Sequence, residues 1–204
     1  MHQKIESRVY QEKEASVFYR VRGRFGELSN MAGGFPLEIA GIPVGSSEAY
    51  YQAIRWSHRP DVQQRILDEK SPMTAKRTAY LFLDDGRPDW DQVKIRVMRF
   101  ALRAKLLFHD DAIRAVLSET GDHPIVEKSQ RDDFWGALPH GDGTLRGRNV
   151  LGRLWMELRH EIAAKPEIFR NGIDDPRIPD HRLLDREVTG LEPPVRPVQT
   201  GFAF

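Results

Sequence analysis

Glu48, Tyr51, Gln52 and Arg55 lie in the stretch GIPVGSSEAYYQAIRW (residues 41–56), at positions i, i+3, i+4 and i+7. On a helix these four share one face. That face carries a carboxylate able to stabilise a cation or activate water, a phenol, an amide, and a guanidinium whose fork matches phosphate. An amphipathic helix ordinarily turns aliphatic side chains inward. The stripe is therefore either a solvated face with its own intrahelical network or the wall of a site.

A second group lies in VEKSQRDDFWG, where Glu127 leaves an expected strand and Asp133, Trp135 and Gly136 follow in a loop. Two carboxylates beside an indole can work on a sugar or base stacked there. The alternative is a surface loop with a buried tryptophan. Trp90 opens a long helical pattern, as a stacking platform or as a core anchor. GDGTLRGRNVLGRL brings glycines and arginines to a helix start, where free N–H groups can receive phosphate. Gly141, Gly143 and Gly147 do not have dinucleotide-fingerprint spacing.

These residues need elements to hold them. SVFYRVRGRFG alternates as a strand, with Arg20, Arg22 and Arg24 on one side, and FPLEIAGIPVG reads as two extended pieces joined at Ala40-Gly41. Ser46 or Ser47 can cap the first helix, which should end near Arg59 ahead of Pro60. Shorter helices are expected at 61–67 and 74–83, a long one from Trp90 to Phe108, and another at 110–117. A strand follows at HPIVEKS, and then a long Gly-rich loop from Asp132 to Asn149. Asn149 can cap a last helix to about His160. The pattern is α+β, predominantly helical, with a few short N-terminal strands: one domain over 1–164 and a Pro-rich tail over 165–204. Six of the thirteen prolines fall in that tail, which should wrap the domain or be partly disordered.

The net charge of +1 sets up no global field, so any nucleic-acid contact must come from local clusters such as Arg20, Arg22, Arg24, Arg146, Arg148 and Arg153. Cysteine is absent, which removes disulfides, thiolate nucleophiles and zinc–thiolate sites. The seven histidines include no HxxxH pair, so no metal site and no cofactor are expected. No apolar run is long enough to span a bilayer and the N-terminus lacks a signal-peptide core, so a cytoplasmic protein without membrane contact is expected.

FGELSNM, SSEAYYQAIRW, AKR, WDQVKIRVMRFALRAK, IVEKSQRDDFWG and GRNVLGRLWMELR occur in an order and spacing that resemble the NADAR, or YbiA-like, family from about Phe25 to Arg159. The resemblance implies an α+β domain that cleaves N-glycosidic bonds of ribosyl nucleotides without a metal. It carries family positions onto Asn30, Glu48, Gln52, Trp90, Lys105, Glu127, Asp133, Trp135, Gly136, Asn149, Gly152 and Arg159. Relatives often have lysine where this chain has Arg55. Arginine can clamp phosphate but is no amine nucleophile, so a covalent lysine here would have to be Lys76 or Lys105.

In that frame the polar stripe reads as a site wall. Glu48 is the candidate to stabilise an oxocarbenium ion or activate water, with Glu127 or Asp133 as second acid or sugar-orienting group. Trp135, Trp90 and Tyr51 would stack, while Arg55, Lys105 and Arg159 would hold phosphate. FGELSNMAGGFPLEI and the longer C-terminal part look most like the toxin-associated subgroup. This implies removal of ADP-ribose from guanine in DNA, with ADP-ribosylated DNA and a cognate ADP-ribosyltransferase toxin as partners. The alternatives are an N-glycosidase of riboflavin-pathway ribosylaminopyrimidine phosphates and a non-catalytic ADP-ribose-binding module.

Overall fold

The computed structural model describes residues 5–194; the last ten residues of the expected tail lie outside them. The fold is α+β, as expected. Strand β1 (Arg8–Gln11) pairs antiparallel with β7 (Thr144–Gly147), which also pairs with β6 (Leu138–His140). Strand β2 (Ser16–Phe18) lies parallel to β5 (Ile125–Glu127), and β3 (Leu37–Ile39) forms a hairpin with β4 (Ile42–Val44). The helices are α1 (Ser47–Ile54), α2 (Pro60–Leu67), α3 (Pro72–Ala79), α4 (Trp90–Phe108), α5 (Asp110–Glu119) and α6 (Val150–Ala164).

The spine is α4. Its stripe of Val93, Val97, Phe100, Ala101, Ala104 and Leu107 is buried as its spacing requires, and Met98, Leu102 and Leu106 are buried too. A helix covered on more than one side becomes the middle layer, here between α1 on one side and α5 and α6 on the other. Helix α1 is capped by Ser46, whose hydroxyl accepts from Ala49 N at 3.1 Å, and all eight of its residues are buried.

Several expected boundaries move. Helix α1 stops at Ile54, five residues short of Arg59, and Pro60 starts the next helix. Proline is preorganised for the first helical position, where its missing N–H costs nothing. Pro72 repeats the device behind a Ser71–Thr74 capping box, and α3 then tightens into a 3-10 turn over Tyr80–Asp85. The strand expected through Arg24 ends at Phe18. Gly23 N donates to the Arg20 carbonyl at 2.9 Å and Phe25 has φ 58, so Arg20, Arg22 and Arg24 stand exposed on a turn and not along a strand face.

The segment 132–149 is likewise no featureless loop. Asp142 Oδ1 accepts from Thr144 N, Gly143 takes φ +80, and β6 and β7 close around that turn with Leu145 buried and Arg146 outside.

Beyond Lys165, the described part of the tail wraps the domain. It buries Ile173, Ile178, Leu183 and Val188, and carries a small hairpin of β8 (Arg182–Leu183) and β9 (Arg186–Glu187). The His181 ring meets the Tyr50 hydroxyl on the back of α1. Gln63 bonds Ala53 O, Arg182 O and Leu184 N, and so stitches this strap to α1 and α2.

Candidate active site

One face of α1 forms the wall of a cavity of about 250 Å³. Glu48, Tyr51, Gln52 and Arg55 all line it, joined by Asn30 from the segment before β3, Lys76 and Tyr80 from α3 and its extension, and Glu127, Asp132 and Trp135 from the β5 side. The stripe is the wall of a cavity and not a solvated face. A hollow of about 900 Å³ lies elsewhere, between α6 and the C-terminal strap. It is larger, but its Arg103 is already paired with Glu161, and its further acids, Glu167, Asp174, Asp175 and Glu192, are exposed to solvent.

The acids of the smaller cavity sit in unequal surroundings. Gln52 Nε2 donates to Glu48 Oε1 at 2.8 Å. Burial lifts the Glu48 carboxyl above the usual range, while Lys76, Gln52 and Asn30 pull it back toward ionisation. Glu127 has Lys76 as its one such helper and accepts no side-chain hydrogen bond among the described residues. Burial first, then the neighbouring Asp132 and Glu48 charges, push its carboxyl up to about 8. Both carboxyls are raised by burial, but Glu48 has hydrogen-bond donors as well as Lys76 to favour its ionised form, an inequality of the kind acid/base chemistry uses.

Burial works against the Lys76 charge, but Glu48, Tyr80 and Asp132 outweigh it and the net direction is upward. Lys76 is a cation, not a free amine. Three buried atoms among the cavity side chains have no partner among the described residues: Asn30 Oδ1, Gln52 Oε1 and Arg55 Nε. Groups of this kind are costly unless a ligand or water satisfies them. The Arg55 guanidinium lies 5.5 Å from the Trp56 ring and 5.6 Å from the Trp90 ring, an arrangement that holds it in place for an anion.

Some expected residues stand behind the wall. Trp90 is 9% exposed with its ring 4.9 Å from Tyr51, so it backs the cavity as an anchor. Lys105 is buried, donates to the carbonyls of Glu27 and Ser29, and lies 4.3 Å from the Phe35 ring. It pins the segment that delivers Asn30 and reaches no phosphate position; burial lowers it to about 7. Trp155 Nε1 adds a third tie at the Leu28 carbonyl, 2.8 Å away.

Arg159 bonds Thr120 Oγ1 and the His123 carbonyl, away from the cavity. Asp133 pairs with Arg148 on the surface; Asp132 is the cavity acid, and its Oδ1 accepts from the N–H groups of Phe134 and Trp135. Two adjacent aspartates in a turn have no period by which sequence can tell them apart.

Asn149 has φ 48 and makes no side-chain cap. Its amide instead bonds Glu127 N at 3.0 Å and Ile125 O at 2.9 Å, holding the strand that carries Glu127. Gly136 permits the opposite approach, since a Cβ there would come within 2.7 Å of the Glu127 carbonyl oxygen. Ser129, Met31, Met98, Leu151 and Tyr80 complete the lining. Only Tyr80 had a sequence signal: it stands four residues after Lys76, one helical turn along the same face.

Similar proteins carry this arrangement's name. N-glycosidase YbiA of Escherichia coli is 37% identical over 155 residues, covering 72% of this chain and 87% of that one. N-glycosidase Npun_R5314 of Nostoc punctiforme is 35% identical, covering 71% and 90%. Riboflavin biosynthesis protein VVA0006 of Vibrio vulnificus is 34% identical over 71% of this chain but only 38% of its own length. The NMR structure of E. coli YbiA superposes with a TM-score of 0.63 and 30% identity, over 81% of this chain and 96% of that one. The NADAR domain matches residues 17–163, which include every side chain lining the cavity, and the chain belongs to the NADAR domain family.

Proposed function

We propose that this cavity hydrolyses the N-glycosidic bond of a ribosyl nucleotide, and that its substrate is ADP-ribose joined to guanine in DNA. The observation that carries the chemistry is the pair of acids in unlike surroundings: Glu48, hydrogen-bonded by Gln52 and facing Lys76, shares the 250 Å³ space with Glu127, whose carboxyl accepts no hydrogen bond among the described residues and is pushed up to about 8. The relatives named N-glycosidases support the same reaction class.

Breaking the bond from ribose C1 to the base nitrogen sends the electron pair to the base and leaves an oxocarbenium-like sugar. Glu127 gives its proton to the leaving base. The Glu48 carboxylate stabilises the cation and then takes a proton from the water that adds to C1; exchange with solvent resets both acids. Lys76, held cationic, acts as counter-ion and not as a nucleophile, because an attacking amine needs a lowered pKa. Arg55 holds phosphate through its unpaired Nε–H and the rest of its fork. None of these steps calls on a metal.

The preference for ADP-ribosylated DNA rests on the likeness of residues 25–39 to the toxin-associated subgroup, which also makes an ADP-ribosyltransferase the natural counterpart. The Vibrio relative's name favours a second reading, a ribosylaminopyrimidine phosphate of the riboflavin pathway. A purely binding module has no use for an unbonded, protonated carboxyl. The test is turnover of an ADP-ribosylated guanine oligonucleotide against ribosylaminopyrimidine phosphate, each after exhaustive chelation. Release of free ADP-ribose from the first is expected. Turnover of the second alone overturns the DNA reading, and activity that returns only with a divalent cation overturns the mechanism.

A further inference from the structure

Within the cavity the two expected stacking residues are already occupied. Tyr51 is 7% exposed, its ring 4.9 Å from Trp90 and 5.6 Å from Trp135; Trp135 also meets Phe134 edge-on at 5.0 Å. They wall the sugar space but have little free surface for a base. Tyr80 is different. It lines the same cavity, yet 51% of it is exposed, and it stands at the mouth. Its neighbours Leu81 and Leu83 are 71% and 40% exposed on the same 3-10 turn, and Met73 is half exposed on α3.

Of these exposed side chains only Tyr80 lines the cavity, and a solvated aromatic ring at the edge of a polar cavity calls for a ligand with a flat apolar portion. The turn is held in place: Trp56 Nε1 donates to the Phe82 carbonyl at 3.2 Å, and Arg65 lies 4.9 Å from the Phe82 ring. Lys76 Nζ is 5.7 Å from the Tyr80 ring centroid, so the ring also sits beside the cation that faces Glu48.

We infer that Tyr80 is the platform on which the nucleobase next to the scissile bond stacks, and that it sets the preference for nucleobase-bearing ligands. The cavity volume suits a ribosyl unit, so the base must extend toward the opening, where this ring waits. A planar heterocycle on a tyrosine face gains by stacking whether it is purine or pyrimidine, with the larger surface favoured. This rests on the glycosidase reading and adds the residue that receives the leaving group.

The test measures kcat and KM for the full-length wild type, Tyr80→Ala, Tyr80→Phe and the exposed-neighbour control Leu81→Ala. Titration calorimetry with guanosine monophosphate and with ribose 5-phosphate runs in parallel. Tyr80→Ala should raise KM and weaken guanosine monophosphate binding roughly tenfold, the scale of one lost base–aromatic stack. It should leave kcat within about twofold, ribose 5-phosphate binding unchanged and the melting temperature unmoved. Tyr80→Phe and Leu81→Ala should match wild type.

Equal weakening of both ligands, or no weakening of guanosine monophosphate, overturns the stacking role. A defect in Tyr80→Phe as large as in Tyr80→Ala assigns the effect to the hydroxyl and overturns it too. Wild-type inactivity on every ribosyl substrate would sink the glycosidase reading, while the calorimetric comparison would still decide Tyr80.

Discussion

Glu127→Gln separates the acid's catalytic use from its energetic cost. The carboxyl titrates at about 8 in the folded protein against an ordinary 4.5. A raised carboxyl pKa means that the native state holds its proton where the unfolded chain has released it. The contribution to stability is therefore intact below about pH 4.5 and is lost progressively as pH rises toward 8. At pH 7 the gap amounts to at most about 3 kcal/mol, taking 1.36 kcal/mol for each pH increment between 4.5 and 7.

Glutamine cannot ionise and the carboxyl makes no hydrogen bond among the described residues, so the variant escapes this penalty without losing a partner. At about 2–4 °C per kcal/mol for a chain of this size, its melting temperature should exceed wild type by up to roughly 6–12 °C at pH 7 and equal it near pH 4.5. Turnover should fall about a hundredfold or more, and the decline of wild-type kcat/KM above about pH 8 should vanish from the residual activity. Scanning calorimetry from pH 4.5 to 8, with pH–rate profiles, reads both. A melting difference that does not grow with pH would refute the burial of an acid at this site, and an unchanged alkaline limb would refute its role as proton donor.

Glu48→Gln should cut kcat about a hundredfold or more with ligand binding retained by calorimetry, since only transition-state charge loses its partner. Arg55→Ala should chiefly raise KM and flatten its salt dependence, measured between low and high ionic strength. Lys76→Arg should keep a substantial part of the activity that Lys76→Ala loses, if charge and not amine chemistry is required; equal loss in steady-state assays would restore a covalent lysine. For Lys105→Met the pH dependence has the opposite sense to that of Glu127. Burial lowers this lysine from 10.5 to about 7, so the wild type loses stability relative to the variant as pH falls from about 10 to 7, and the difference levels off below that in thermal melts. Removing residues 166–204 should expose Ile173, Ile178, Leu183 and Val188 and the α1 surface they cover. At roughly 1.5–3 kcal/mol per buried aliphatic side chain, the result should be a lower, broader melt by circular dichroism.

Sequence spacing was enough to find the α1 wall because four chemical groups one helical turn apart leave little freedom once Ser46 starts the helix. The same periodicity located α4 from Trp90 to Phe108. It could not sort Lys105 from Lys76: both are lysines on helices, and only the arrival of the Glu27–Ser29 carbonyls makes one a structural peg. Asn149 was readable as a cap because it precedes a helix, yet its left-handed backbone aims the amide at β5, a partner more than twenty residues away. The C-terminal strap was illegible for a related reason. Its buried residues Ile173, Ile178, Leu183 and Val188 are separated by irregular backbone and prolines, so no helical or strand period links them.

That strap gives biosynthesis an order. Tyr50 and its partner His181 are 131 residues apart, which at roughly 5–20 residues per second puts about 7–26 seconds of translation between them. During that interval α1 can set its cavity-lining face against α3 and α4 while its rear, including Tyr50, still lacks the strap. A nascent chain paused before His181 therefore presents a nearly formed cavity on an uncovered helix, a species open to chaperone capture and to proteolysis until His181 and its neighbours arrive.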